Sequence, residues 1–342
     1  PVLHKIAEGG SAAFYQGDIA RTIVRHVQSH GGILSERDFS EYRAQDVAPL
    51  AIDYRGFDVY TPPPPAGGLT TLQILQTLKH FDIAAMKPWG APYFDLLAQA
   101  TRLCWQERVM ALGDPDFIEI PLHEMLSEQR AVDRAQRIQC RDAGTPLPSP
   151  TDRPCTANVS IIDSQRNAVS ITATQGVYFG SQMVIPGLGL VMNHGMSRFD
   201  YAPPANHPNL PSPGKRMQHN MAPTMVLKDV QPRFVVGLPG GIRIISVTAQ
   251  LAIDLIDFGA TAQEAVRAPR IDAQNEQPII VSSAVSDEVM NELRALGNDV
   301  ARGQLEGPPM EVGGMANALA FDPETGKLQA ASQGSGEFAI VV

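Results

Sequence analysis

The fold of this chain is decided by the stretch Pro154-Cys155-Thr156-Ala157-Asn158-Val159-Ser160-Ile161-Ile162-Asp163 and by the run that follows it, Asn167-Ala168-Val169-Ser170-Ile171-Thr172-Ala173-Thr174. Both runs are rich in β-branched residues, and a short polar turn, Ser164-Gln165-Arg166-Asn167, lies between them. Two strand-like runs around such a turn are typical of a β-hairpin. The sequence therefore predicts an antiparallel pair of strands at the centre of the chain.

Thr156 stands at the start of the first predicted strand. If Asp163 and Ala168 close the hairpin, Thr156 faces the Thr174–Gln175 end of the second strand. Directly opposed side chains lie about 4.5–5.5 Å apart, so two hydroxyl groups can meet there. A threonine at a strand start becomes an N-terminal nucleophile once the preceding peptide bond is cut. On the pattern alone an ordinary strand residue is the favoured interpretation, because threonine favours strands.

A series of further motifs surrounds the hairpin. In chain order they are Ala13-Phe14-Tyr15-Gln16-Gly17-Asp18-Ile19-Ala20, Tyr54-Arg55-Gly56-Phe57, Pro62-Pro63-Pro64-Pro65-Ala66-Gly67-Gly68, Gly113-Asp114-Pro115-Asp116-Phe117, Phe179-Gly180-Ser181, Pro213-Gly214-Lys215-Arg216, Met221-Ala222-Pro223-Thr224, Gly237-Leu238-Pro239-Gly240-Gly241-Ile242-Arg243 and Ala268-Pro269-Arg270. In this order they resemble the gamma-glutamyltranspeptidase family of N-terminal nucleophile hydrolases, and the hairpin resembles its autoprocessing junction. The resemblance covers nearly the whole chain, which would be a divergent member.

The resemblance implies an α+β fold, the four-layer αββα sandwich of N-terminal nucleophile hydrolases. Residues 1–155 would be the C-terminal part of a large-subunit-like region, mainly helical, and residues 156–342 the small-subunit-like catalytic region. Both would belong to one sandwich domain. Family proenzymes are longer at the front, so we expect a sandwich that is incomplete at its N-terminus, either because the chain is a fragment or because another polypeptide supplies the remainder.

Local patterns place helices mainly before the hairpin and alternate strands with helices after it. Helices are predicted at Phe14–Ser29, after a cap at Ser35, and at Leu69–Phe81, Tyr93–Leu112, Ser127–Arg141, 243–258 and 286–296; strands are predicted at 157–163, 168–174, 223–228, 233–237, 317–321 and 328–332. The proline-rich stretch Asp142–Pro154 reads as an extended loop. It suits a cleavage linker and an ordinary surface loop equally well.

The resemblance assigns catalytic roles to four residues. Thr156 would be the nucleophile, and its α-amine, with an ordinary pKa of about 7.7–8.0, would serve as its base after the Cys155–Thr156 bond is cut. Thr174 would orient the Thr156 hydroxyl. Gly240 and Gly241 match the family's oxyanion-hole pair, in a turn that leads into a helix whose N–H groups attract anions.

The expected substrate pocket departs from the family pattern at several positions. Arg198 stands where family enzymes carry an acidic residue, Gly195 replaces a glutamine, Gly176 replaces an asparagine, and His219-Asn220 replaces a pair of serines. A substrate ammonium beside Arg198 would be repelled, whereas a carboxylate or carbonyl would suit these residues. We therefore expect an amidohydrolase for an acyl donor without an α-amine, such as a glutaryl amide or an oxamate.

Other functions stay open on the sequence. A true gamma-glutamyltranspeptidase, or glutathione hydrolase, is the nearest alternative. An uncleaved, non-catalytic relative that binds small acids is a further one. A serine or metal hydrolase is disfavoured, since the sequence contains neither a G-x-S-x-G motif nor a cluster of metal ligands.

Composition limits the partners. The 342 residues carry a net charge of −9 and are 44% hydrophobic, without a strongly basic cluster, so nucleic acid is an unexpected partner. No run reaches the roughly 20 apolar residues of a membrane span, and the three cysteines and eight histidines show no metal-binding spacing. We expect a small-molecule amide substrate, no cofactor, no metal and no membrane.

The resemblance also implies an assembly, in which large and small subunits arise from one precursor and could pair again as a homodimer of heterodimers. The compartment stays open. A cytoplasmic location is slightly favoured, and a periplasmic or secreted one is compatible because any signal peptide would precede residue 1.

Overall fold

The computed structural model describes residues 2–142, 154–201, 204, 206–274, 278–303, 314–322 and 325–333. Its α-helices are α1 Val2–Tyr15, α2 Asp18–Ser29, α3 Glu36–Ser40, α4 Gly68–Leu78, α5 Ala91–Ala111, α6 Leu122–Met125, α7 Glu128–Gln139, α8 Ile244–Ile256, α9 Ala262–Arg267 and α10 Asp287–Ala295, and its 3₁₀ turns are Ile83–Ala85, Gly195–Arg198 and Gly241–Arg243. Its strands are β1 Leu50–Tyr54, β2 Phe57–Thr61, β3 Pro154–Ile162, β4 Ala168–Val177, β5 Val184–Ile185, β6 Leu190–Val191, β7 Thr224–Lys228, β8 Gln231–Gly237, β9 Ile271–Asp272, β10 Ile279–Val281, β11 Val300–Arg302, β12 Asn317–Phe321 and β13 Leu328–Ser332.

A six-stranded antiparallel sheet organises the molecule, with the strand order β1-β2-β7-β8-β12-β13. Successive side chains of a strand point to opposite faces. In β8, Phe234 and Val236 therefore join the apolar core under the helices. Gly237 points the other way, and a Cβ there would lie 2.3 Å from the Asn158 amide nitrogen of the β3–β4 hairpin. The architecture is an α+β sandwich of helices, sheet and hairpin.

The apolar core lies on the helix side of this sheet. Helices α4, α5 and α8 pack together there, and α4 is buried on almost every side. The core joins residues from both sides of the Cys155–Thr156 bond, for example Leu72 and Ile74 of α4 with Val247 and Leu251 of α8. Helices from the two halves of the chain therefore share one interior.

The β3–β4 hairpin forms as predicted, but its register differs by one residue. Ile162 pairs with Ala168, and the Asp163 N–H donates to the Asn167 carbonyl over 3.0 Å. The turn is thus one residue shorter than expected, with Arg166 at φ 66°. The Asp163 carboxylate stabilises it by accepting from the backbone N–H of Asn167 at 2.8 Å, as aspartate does in tight turns.

The shorter turn places Thr156 directly opposite Thr174 rather than at the Thr174–Gln175 boundary. A β-bulge between Cys155 and Thr156 then shifts the register, so that Cys155 pairs with Gly176. Bulges re-aim the side chains beside them. The irregular position of the hairpin is therefore the predicted cleavage junction.

The other predicted elements agree with the structure to different degrees. The final hairpin has its predicted bounds, and the helices 243–258 and 286–296 shorten to α8 and α10. The predicted helix Phe14–Ser29 was wrong as one element, because α1 ends at Tyr15 and α2 begins at Asp18. The predicted loop Asp142–Pro154 lies almost wholly outside the described residues.

Two further differences concern burial and strands. The predicted helix Ser127–Arg141 is rich in Arg and Glu, a composition that predicts an exposed helix, but α7 buries Arg134 and Ile138. Strands β1 and β2, which join through the turn residues Arg55 and Gly56, were missed in the half that was predicted as mainly helical. No helix among the described residues is long and apolar enough to cross a membrane.

Candidate active site

A cleft of about 160 Å³ lies at the Thr156 end of the hairpin. Its lining joins the hairpin, the segment after β6, the segment before β7 and the start of α8, and it consists of Thr156, Thr174, Gln175, Gly176, Asn193, Gly195, Arg198, Met217, His219, Asn220, Met221, Gly241 and Ile244. The structure therefore brings together all the predicted site residues except Cys155, which precedes Thr156, and Gly240, which precedes Gly241.

A chain of hydroxyl hydrogen bonds runs through the predicted nucleophile. The Thr156 hydroxyl donates to Thr174 Oγ1 over 3.0 Å. The Thr174 hydroxyl in turn donates to the Cys155 carbonyl oxygen over 2.8 Å, so its one proton points at the predicted scissile bond. The arrangement can polarise this carbonyl while it holds the Thr156 oxygen nearby.

Gly176 fixes the Thr174 hydroxyl from the other side. Its backbone N–H donates to Thr174 Oγ1 over 3.0 Å. It does so at φ 94°, a conformation that side chains rarely adopt, and a Cβ there would lie 3.1 Å from the Cβ of His194. The positive φ and the nearby His194 side chain therefore favour glycine at position 176, independently of any role in a substrate pocket.

The predicted oxyanion pair occupies the turn between β8 and α8. Gly241 lines the cleft at φ 61°, and it opens the 3₁₀ turn Gly241–Arg243 that leads into α8. Gly240 precedes it with φ 168° and ψ 5°. Strand β3 contacts this turn. Unpaired N–H groups at a helix start are suited to a developing negative charge.

The segment that carries His219 and Asn220 rests on the proline–glycine motif before α4. The His219 N–H donates to the Pro65 carbonyl over 3.0 Å, and the Gly67 N–H donates to the Met221 carbonyl over 3.1 Å. A Cβ on Gly67 would lie 2.5 Å from the Asn220 carbonyl oxygen. The motif thus lets two backbone segments approach closely, which places both side chains at the cleft.

His219 is neutral in this setting. Burial lowers the pKa of His219 to about 4, and the nearby charges of Arg108 and Arg216 act in the same direction. Its Nδ1 atom is buried without a hydrogen-bond partner among the described residues. At neutral pH the imidazole therefore brings no positive charge to the cleft.

Arg198 reaches the cleft rather than pointing away from the molecule. It ends the 3₁₀ turn that begins at Gly195, and its Nη2 donates to the Gly176 carbonyl over 3.3 Å. The Asn209 amide holds the same residue by donating to the Arg198 carbonyl over 2.7 Å. Gly195 is held by its N–H, which donates to Asn193 Oδ1 over 2.8 Å.

An ion pair outside the cleft holds the loop that precedes His219. Arg216 forms an ion pair with Asp114 at 2.6 Å, and its backbone N–H donates to the same carboxylate at 2.7 Å. Burial of Asp114 opposes ionisation, yet these hydrogen bonds hold its pKa below its usual value. Two of the sequence motifs thus meet as a structural pair.

Sequence reasoning missed several residues at the site. Gln175, Asn193 and Met217 line the cleft without a motif that singles them out. Arg108 of α5 donates a hydrogen bond to Asn220 Oδ1. In the sequence, the only signal for Arg108 is its position shortly before the Gly113-Asp114 motif. Within the described ranges, no group of three or more histidine, cysteine or acidic side chains could hold a metal ion.

Comparison with known proteins shows where this architecture occurs. A family model described as gamma-glutamyltranspeptidase matches residues 1–339. The chain is 33% identical over 318 residues to the glutathione hydrolase proenzyme of Escherichia coli (strain K12), covering 87% of this chain and 54% of that protein. It is also 33% identical over 328 residues to the acylase ACY 1 proenzyme of Pseudomonas sp. (strain SE83), covering 94% and 57%.

A solved structure is similar over the same extent. The cephalosporin acylase from Bacillus halodurans superposes with a TM-score of 0.86 at 28% identity, covering 97% of this chain and 59% of that one. The chain thus spans little more than half the length of these relatives. The family model and the identities are sufficient for a conclusion: the chain belongs to the gamma-glutamyltranspeptidase family.

Proposed function

We propose that this protein is an autoprocessing N-terminal threonine amidohydrolase that cleaves an amide through an acyl-enzyme. The observation that carries the proposal is the hydroxyl chain from Thr156 to Thr174 and on to the Cys155 carbonyl. It combines a nucleophile, a polarising donor and a scissile carbonyl at one bulge of the hairpin. Such a relay fits the chemistry of the family better than the needs of an ordinary strand.

Autoprocessing would begin in the uncut chain. The Thr156 oxygen attacks the Cys155 carbonyl carbon, the bond from that carbon to the Thr156 nitrogen breaks, and the hydroxyl proton ends on that nitrogen. The Thr174 hydroxyl stabilises the charge that develops on the carbonyl oxygen. Water then hydrolyses the ester, which releases the Cys155 carboxyl group and leaves Thr156 with a new α-amine.

The processed site would use the same atoms on a substrate. The new α-amine takes the Thr156 hydroxyl proton as the oxygen attacks the amide carbonyl, and Thr174 keeps that oxygen in position. The Gly240–Gly241 turn supplies N–H groups for the oxyanion. An amine leaves, and water or an acceptor amine resolves the acyl-enzyme. Residues 1–155 and 156–342 would then be a large-subunit part and a small subunit of one precursor, in one sandwich domain.

The lining of the cleft supports an acyl donor without an α-amine. None of the described residues that line it is an aspartate or glutamate, so it offers no ion pair to an ammonium group. Arg198 brings a positive charge and Asn220 an amide. A glutaryl amide or an oxamate-like substrate matches this set of groups.

A true glutathione hydrolase is the second candidate. The relative from Escherichia coli that bears this name is as similar to the chain, at 33% identity, as the Pseudomonas acylase is. In that case the region of the relatives that this chain does not span would supply the groups that bind the α-amine.

Intact mass and N-terminal sequencing of the purified protein test the nucleophile. The protein should be expressed with any sequence that precedes residue 1 in its gene. We expect a new terminus at Thr156 in the wild type and in Thr156→Ser, and one uncut chain in Thr156→Ala. Thr172→Ala, on the facing strand β4, is the matched control and should be cut normally. An uncut wild type that hydrolyses no amide would refute the proposal.

Turnover of two anilides tests the substrate class. We expect a glutaryl anilide to be cleaved with a higher kcat/KM than a gamma-glutamyl anilide, because only the latter carries the α-ammonium group. The opposite order would favour glutathione hydrolysis and would leave the threonine mechanism intact.

A further inference from the structure

Arg108 is a buried cation without a described acidic partner. It lies on α5 with a side chain that is only 1% exposed, and no ion pair joins it to a described carboxylate. One of its nitrogens, Nη1, is buried without a hydrogen-bond partner among the described residues. Its guanidinium group lies 5.6 Å from the Trp105 ring centre. A buried charge of this kind is costly, which calls for a reason.

The hydrogen bonds of Arg108 lead to the substrate cleft. Its Nη2 donates to the His219 carbonyl over 2.9 Å and to Asn220 Oδ1 over 3.1 Å. A guanidinium group has donors and no acceptor, so the Asn220 atom that faces it must be the oxygen. The NH₂ group of Asn220 is thereby turned away from Arg108. No described residue accepts a hydrogen bond from it, and Asn220 lines the cleft.

The charge of Arg108 also acts at the cleft directly. Burial lowers its own pKa to about 9, which still leaves it cationic at neutral pH. Its charge is felt at His219, where it contributes to the lowered pKa of the imidazole. Charges interact more strongly in a buried, poorly solvated setting than in water. An anionic group in the cleft would therefore be attracted and a cationic one repelled.

We propose that Arg108 is a positioning and specificity-determining residue, which selects acyl groups that end in a carboxylate. It turns the Asn220 NH₂ group toward the cleft as a donor, and it places a positive charge beneath that donor. This inference deepens the proposed function and rests on it for the identity of the acyl group. It predicts that the cleft distinguishes glutarate from valerate, which has the same length and lacks the second carboxylate.

Calorimetric binding of glutarate and of valerate to the purified protein tests this role without requiring turnover. We expect glutarate to bind the wild type at least about tenfold more tightly than valerate, and Arg108→Met to lose most of this difference. Arg108→Lys keeps the charge but not the planar donor group, so it should restore part of the preference. Arg102→Met is the matched control, because Arg102 is a second buried arginine on α5, 6% exposed, whereas the described hydrogen bonds to the His219 carbonyl and to Asn220 Oδ1 come from Arg108.

Asn220→Asp gives a second test that does not remove the buried arginine. The new carboxylate would pair with Arg108, cancel its charge and replace the NH₂ donor by an acceptor. We expect glutarate affinity to fall about a hundredfold, in a protein that melts no lower than the wild type. Equal binding of the two acids by the wild type, or a preference that survives both Arg108→Met and Asn220→Asp, would overturn the inference. Arg108-dependent glutarate binding without hydrolysis of any anilide would instead refute the proposed function alone.

Discussion

The helix side of the six-stranded sheet is packed with apolar side chains, whereas the hairpin side is joined to it through amides and hydroxyls. On the helix side, Leu72, Ile74 and Leu75 of α4 are fully buried. On the hairpin side, the Asn158 amide donates to Thr172 Oγ1 over 3.0 Å, and the Asn317 amide donates to the Asn158 carbonyl over 3.2 Å. The same sheet therefore faces two different environments.

The difference separates stability from chemistry. Burial of apolar surface is the main favourable term in folding, and it lies on the helix side. A net hydrogen bond contributes only about 0.5–1.5 kcal/mol, but it fixes distance and direction. The hairpin, which carries Thr156 and Thr174, is thus held in register by directional contacts. Substitutions on the helix side should lower the free energy of unfolding, whereas substitutions at the hairpin site should lower the rate of cleavage.

The largest effect is expected at the hydroxyl relay. Thr174→Val keeps the shape of the side chain and its preference for a strand, but it removes the donor to the Cys155 carbonyl. We expect cleavage at Thr156 to slow by at least about 10²-fold, as for the loss of a positioned proton-transfer group, with little change in melting temperature. The rate is read from the appearance of the smaller fragment on a denaturing gel. Thr174→Ser should cleave at close to the normal rate, and normal cleavage in Thr174→Val would show that the relay is not used.

On the helix side, Ile74→Ala should act on stability instead. Ile74 is fully buried in α4, and truncation of such a residue costs about 2–5 kcal/mol. We expect this loss in the free energy of unfolding by urea titration, while the cleaved fraction of the folded protein stays normal. A variant that unfolds normally but fails to cleave would contradict the separation of the two sides.

A buried carboxyl group makes the stability of the helix side depend on pH. Burial in α8 raises the pKa of Asp254 to about 7, although the Trp89 indole donates to it over 2.9 Å. The unfolded chain loses this proton near pH 4, so the contribution of Asp254 to stability should be fully present below that pH, be lost between about pH 4 and 7, and then stay constant. Asp254→Asn removes the charge, and it should raise the melting temperature at pH 8 but not at pH 4. An equal effect at both pH values would mean that this group does not titrate on unfolding.

The hairpin shows how far the sequence predicted the site. The alternation of residues was enough to predict both strands and the meeting of Thr156 with Thr174. The register was wrong by one residue, since turn length depended on how the Asp163 carboxylate binds backbone N–H groups. The bulge at Cys155 has no pattern of its own, because it results from tertiary packing.

Strands β1 and β2 and the role of Arg108 also could not be predicted from local sequence patterns. Strands β1 and β2 are joined at Arg55 and Gly56, a pair that signals a tight turn less clearly than Asn-Gly does. Arg108 reads as one more polar residue of a long helix, and only the folded structure places it beneath Asn220. The predicted cleft residues were found because the family pattern identified them, whereas Arg108, which holds Asn220, lies on α5 outside that pattern.

Substitutions on the outer face of the hairpin should have the smallest effect on the free energy of unfolding, and they test whether apolar burial is confined to the helix side. Val159, Ile161, Val169 and Ile171 form an apolar stripe there, each about half exposed among the described residues, with Ile171 at 57%. Ile171→Ala makes the same chemical change as Ile74→Ala, yet an exposed side chain should cost less than about 0.5 kcal/mol. Urea unfolding of the two variants side by side checks this. A cost of 2 kcal/mol or more for Ile171→Ala would mean that another part of the protein or a partner covers the stripe, and the hairpin would then be held by apolar burial as well as by its hydrogen bonds.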